Sequence, residues 1–181
     1  METQPHHGPF VNISSLPDIA SDEVDFLDTS FFQSSGQSTS QKLPSPAEII
    51  QRCPELRDSG RGVVKFEELG LLVKYGCSNY LRLEEAQTLR AIKQAFPANE
   101  VPVPELFGWR KMGRQVFIYM SLIPGNTLRD AWTSFTTEDK SSICDQLAQV
   151  VAALRQLRQG PRSSNEFVGT SAHIAQNDMT A

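Results

Sequence analysis

The run GLLVKYGCSNYLRLEEAQTLRAI, residues 70–92, decides how this chain folds. It opens as a buried strand, Leu71, Leu72 and Val73 followed by Tyr75, and interrupts that strand with Lys74. An unpaired ammonium in an apolar element is costly to desolvate, so the group finds a partner or gives up its proton. The next element supplies a partner. Stepping along a helical period from Glu85 reaches Leu89, Ile92 and Phe96, which sets the carboxylate on an apolar stripe; Glu84 steps instead to Thr88 and Ala91, a weaker face. On the strand, Lys74 shares a side with Leu72. The expectation is an ion pair between Lys74 and Glu85 on the inward faces of two consecutive elements. Two plainer readings stand beside it. Lys74 reaches solvent from an edge strand while Glu85 sits at a ragged helix start, or the two form a purely structural buried pair, which stabilises poorly compared with apolar replacements.

Working outward, Pro46–Arg52 reads as a short helix, followed by a turn near Pro54. Two β-rich runs, 63–67 and 71–75, are joined through Glu68-Leu69-Gly70 as a hairpin. A helix over 80–96 stops at Pro97, and a second hairpin pairs 106–109 with 115–120 through a turn at 111–114. Asn126 caps a short helix through Trp132. The longest helix begins at Thr136 or Thr137, carries Glu138 and Asp139 in its first turn, and presents Ile143, Leu147, Val150, Leu154 and Leu157 as one stripe before Gly160-Pro161. Residues 1–45 are rich in Ser, Gln, Asp and Pro and show no period that buries a face, so a disordered arm is expected there, with at most a turn around Val24–Phe32.

The net charge of −4 is unevenly placed: residues 1–45 hold six acids against one base, so the remainder is nearly neutral. No extended basic surface results, which argues against nucleic acid or anionic membrane as partner. The longest apolar run, Val116 to Ile123, falls far short of the ~20 residues that span a bilayer, and METQPHHGPF lacks a basic stretch followed by an apolar one. Three cysteines, Cys53, Cys77 and Cys144, show no metal-ligand spacing and suit reduced thiols. A cytoplasmic location is the expectation.

A strand lysine held by a glutamate of the next helix, then a hairpin and a linker to a helical region, is the order of parts in the kinase small lobe. The segments VVKFEELGLLVKYG, LEEAQTLRAI, VPVPELFGW, GRQVFIYMSLIPGNTLRDAW and SICDQLAQVVAALRQL together resemble the aminoglycoside phosphotransferase and choline kinase-like family, over residues 46–169. The resemblance implies an α+β fold: a kinase-like small lobe and interlobe linker over 46–123, built on an antiparallel sheet with one packed helix, an incomplete helical large lobe over 124–169, and an irregular tail over 170–181. It implies ATP as the nucleotide. Lys74 would contact its phosphates with Glu85 as partner, Leu72 would roof the adenine, and Met120 would limit the depth behind it. The carbonyl of Ser121 and the amide of Ile123 would read the adenine edge. Gly60 and Gly62 stand where the family covers the phosphates, although the stretch lacks G-x-G-x-x-G and reads equally well as an ordinary loop.

The family's chemistry also needs H-x-D-x-x-x-x-N and a later I-D-x-E, for the base that orients the hydroxyl and for magnesium. His6, His7 and His173 are each followed two places on by Gly8, Pro9 or Ala175, and Asp178 is the last acid, so neither motif is present. The expectation is the N-terminal portion of a phosphotransferase with no catalytic or metal residues of its own, binding ATP weakly or vestigially, magnesium belonging to fuller relatives. The alternative is a non-catalytic pseudo-phosphotransferase interaction module that binds a partner or nucleotide, or a gene fragment without function; exposed apolar surface where a large lobe would pack favours self-association or poor solubility. The acceptor is not legible.

Overall fold

In chain order the computed structural model contains β1 (Phe10–Val11), β2 (Glu23–Asp25), α1 (Ser30–Gln33), α2 (Pro46–Arg52), β3 (Arg61–Phe66), β4 (Leu71–Cys77), α3 (Leu83–Ala95), β5 (Leu106–Met112), β6 (Gln115–Ser121), α4 (Leu128–Ala131), α5 (Thr137–Arg155) and β7 (Arg158–Gln159). It describes residues 8–33, 41–54 and 60–159. The architecture is α+β. Five antiparallel strands form one sheet in the order β2-β5-β6-β4-β3, and β1 pairs separately and in parallel with β7. Among the described residues no helix is long and apolar enough to cross a membrane.

Alternation along the strands gives the sheet two apolar faces. One carries Val64, Phe66, Leu71, Val73, Tyr75, Phe117 and Tyr119 and is covered by Phe31, Leu43 and the fully buried Ile49 of α2. The other carries Leu106, Trp109, Val116, Ile118 and Met120 and is covered by Leu81, by Leu83 and Ala86 of α3, and by Phe26. Both hairpins form where alternation and turn residues place them. The first closes through a 3-10 turn at Glu67–Leu69, and the second through Gly113 and Arg114.

The disordered arm expected over 1–45 is not what residues 8–33 and 41–45 form. β2 adds to the β5 edge, with Val24 opposite Trp109, and Arg110, only 7% exposed, binds Glu23 at 3.0 Å and Asp25 at 2.6 Å. Asp22 reaches Lys111, and the Trp109 indole donates to the Ser21 carbonyl at 3.0 Å. Val24, Phe26, Phe31 and Leu43 are too sparse to set up a local period. Their order comes from long-range pairing, and composition cannot report that. Residues 1–7 and 34–40 lie outside the described residues.

Helix ends differ from expectation in detail. α3 starts at Leu83 because Tyr80 and Leu81 donate to the Cys77 carbonyl and close a turn first. Its buried positions are Leu83, Ala86 and Ala91, so the covering stripe is rotated from the one through Glu85. Thr127 rather than Asn126 caps α4. Thr136 caps α5 in a reciprocal box with Asp139, whose carboxyl those hydrogen bonds hold below the usual range. The expected stop at Gly160-Pro161 lies outside the described residues; α5 ends at Arg155.

Two predictions follow from the packing. A Cβ at Gly108 would lie 2.3 Å from the Val24 carbonyl oxygen, so Gly108→Ala is expected to push β2 off its neighbour and lower stability in urea by about 1–3 kcal/mol; wild-type stability would show that β2 is not seated there. Burial holds the Tyr119 phenol well above its ordinary value of 10.0, with the Arg110 guanidinium pulling the other way. The unfolded chain therefore loses this proton first, and the stability present below about pH 10 declines as pH rises beyond it. Tyr119→Phe, which also deletes the 2.7 Å hydrogen bond to the Pro44 carbonyl, should cost about 1 kcal/mol at neutral pH and flatten the alkaline decline of the urea midpoint.

Candidate functional site

Register fixes the site. Residues directly opposite in an antiparallel pair project to the same face. Leu72 lies opposite Met120 and Lys74 opposite Ile118, so Leu72, Lys74, Ile118 and Met120 share the α3 side of the sheet. Glu85, in the first turn of α3, meets Lys74 from above that face. The ammonium donates to both carboxylate oxygens, at 2.6 Å and 2.8 Å. Its third proton finds no partner among the described residues, which leaves one donor for an incoming acceptor.

The pair is not as deeply set as its apolar neighbours suggest. The two side chains are 40% and 41% exposed. The cause is the rotation of α3: Leu83 and Ala86 take the sheet contact, and Glu85 is left on the helix flank. Beyond β4, moreover, Arg61, Val63 and Lys65 of the edge strand β3 are exposed on this side. The result is a charged pair part exposed to solvent on the α3 side of the sheet.

The remaining predicted residues divide. Met120 is buried, and Leu72 packs partly against the same cluster. Ser121 is tied to Glu105 in both directions, its amide donating to the Glu105 carbonyl at 2.8 Å and its hydroxyl accepting from the Glu105 amide at 2.9 Å. The Leu122 amide is used by the Gly70 carbonyl at 2.8 Å, whereas Ile123 is 61% exposed and its amide has no partner among the described residues. Gly60 is exposed and accepts from the Cys77 amide at 3.1 Å. Gly62 stands opposite Tyr75, on the face away from Lys74, and a Cβ there would lie 2.6 Å from the Tyr75 ring. The missing side chain at Gly62 is thus accounted for by an aromatic ring, and Arg61 and Gly62 belong to β3 rather than to a loop ahead of it.

Reading only the glycines of this stretch misses its cations. Arg61 opposes Gly76, Val63 opposes Lys74 and Lys65 opposes Leu72, so Arg61, Val63 and Lys65 extend the Lys74 face, all three exposed. The alternation in RGVVKF, continued across the hairpin register, was the signal available in the sequence. Arg61 also lies 5.9 Å from the Tyr80 ring centroid. Arg61, Lys65 and Lys74 thus share one face of the sheet with Leu72 and Met120. Next to Glu85, Glu84 binds Arg82 at 2.6 Å; burial pushes its carboxyl up, but the Arg82 hydrogen bond and charge bring it to a net value below the usual range. A separate cleft of about 490 Å³, between Pro9, Phe96, Ala152 and Gln156, includes none of these residues.

No family model, curated protein or solved structure matches the chain.

Both partners of the Lys74–Glu85 pair are half in water, and exposed pairs are worth little. Lys74→Met is accordingly expected to change the unfolding free energy by less than about 1 kcal/mol in a urea titration. A loss of about 3 kcal/mol or more would mark a buried structural pair instead.

Proposed function

We propose that this chain is the N-terminal portion of an ATP-dependent small-molecule phosphotransferase of the aminoglycoside phosphotransferase and choline kinase-like kind, residues 46–123 acting as a kinase-like small lobe. The observation that carries the reading is the Lys74 ammonium, gripped by both oxygens of Glu85 yet part exposed, on one face with Leu72 and Met120. A lysine pre-oriented in this way can receive a phosphate oxygen without first being gathered from solvent. Its apolar neighbours offer a surface for a purine ring, and Arg61 and Lys65 add positive charge along the approach. The Ile123 amide, without a partner among the described residues, supplies a donor just beyond the end of β6, where the ring edge would lie.

Such a chain binds nucleotide without turning it over. Positioning of the hydroxyl and metal-assisted charge stabilisation supply nearly all of the acceleration in phosphoryl transfer, and the sequence holds neither motif that provides them. A second reading, a non-catalytic module that self-associates, is favoured by one observation: no residue of α5 is buried, and Ile123, Leu128, Trp132, Leu147 and Val151 are each more than two-fifths exposed.

Thermal unfolding with and without ATP and magnesium separates the two. Saturating ATP, at about 100 times its dissociation constant, stabilises a binding-competent fold by about 2.7 kcal/mol. The wild-type midpoint should rise and the Lys74→Ala midpoint should not respond. An unresponsive wild type, together with concentration-dependent sedimentation, would replace the nucleotide reading by the interaction module.

A further inference from the structure

α3 is held from two sides. Glu85 faces Lys74, and between about 140° and 200° around the helix from it, at 100° per residue, Gln87, Arg90 and Gln94 face the N-terminal segment. There the Gln87 amide donates to the Pro17 carbonyl at 2.8 Å, and the Ser15 hydroxyl donates to Gln94 Oε1 at 3.3 Å. Arg90, 17% exposed, pairs with the Asp28 carboxylate and sets its guanidinium 4.7 Å from the Phe26 ring centroid. Phe26 in turn packs edge-on against Trp109 at 5.7 Å, while Arg110 binds Glu23 and Asp25. One segment is thus bonded to the sheet at β5 and to the outer flank of α3.

The contact between α3 and the sheet needs that help. Two of its three buried positions are alanines, Ala86 and Ala91, and small side chains fix the setting of a helix less firmly than large interlocking ones. We propose that residues 17–28 are a positioning strap: acting through Arg90, they hold α3 at the rotation from which Glu85 reaches Lys74. Arg90 is a positioning residue for that pair, and release of the strap loosens the lysine. The inference stands on the geometry of the pair and deepens the nucleotide reading by giving the site a control lying outside it.

The test reads Lys74 on the full chain without nucleotide. Reductive methylation under limiting reagent is followed by peptide mass spectrometry, with the exposed Lys65 as internal reference. Glu85→Gln sets the rate of a released ammonium. Arg90→Met and the milder Asp28→Asn should speed Lys74 labelling roughly two- to fivefold, the factor equivalent to an exposed ion pair, with Lys65 unchanged. Arg90→Lys, which keeps the cation against Asp28 and Phe26, should restore the slow rate. Unchanged Lys74 labelling in Arg90→Met overturns the strap, and so does equal acceleration of Lys65, which marks general loosening. If labelling responds as expected but ATP gives no thermal shift, the strap stands and the nucleotide reading alone fails.

Discussion

The register of β4 against β6 is the constraint on which the site depends. It sets Leu72 beside Met120 and Lys74 beside Ile118, and leaves Val73 and Tyr75 on the opposite face with Tyr119 and Phe117. A slip of one residue would turn Lys74 away from Glu85 and into a cluster in which Leu71, Val73 and Phe117 are fully buried. Desolvating that ammonium would be prohibitive, so the lysine itself acts against the wrong pairing. The charge at the site therefore also helps specify the sheet that carries it.

Electrostatics also explains the N-terminal segment. Four of its acids meet a cation: Asp22 meets Lys111, Glu23 and Asp25 meet Arg110, and Asp28 meets Arg90. Most of these carboxylates are exposed, and each such contact contributes little alone. Arg110 is the exception. It is nearly buried, it also donates to the carbonyls of Val24 and Trp109, and its guanidinium lies 5.6 Å from the Tyr119 ring centroid. A charge so enclosed requires its partners, so removing them would cost more than an exposed pair is worth. The net negative charge of this segment is complementary to cations on β5 and α3.

α5 presents a different balance. Its capping box and its stripe of Ile143, Leu147, Val150 and Leu154 specify an amphipathic helix, and the helix forms where they place it. Amphipathicity alone does not bury a face, however. Among the described residues nothing covers Leu147 or Val151, and the β1–β7 pairing touches only the chain just beyond the helix. Helix formation and helix burial are separable here because the first is settled by local hydrogen bonds and the second by an apolar partner.

The sequence by itself determined the elements whose signals are local. These are the two hairpins, α2, α5 with its cap, and the adjacency of a strand lysine to a helix glutamate eleven residues on. Spacing along a strand or helix is enough for those, because neighbouring side chains impose it. Only the tertiary structure decided that Glu23–Asp25 joins the sheet and that the ion pair is part exposed rather than set in a core. Each depends on which residue of a distant strand or helix lies opposite. Pairings across 60 or more positions, such as Asp25 with Gly108, leave no period in either partner's own sequence.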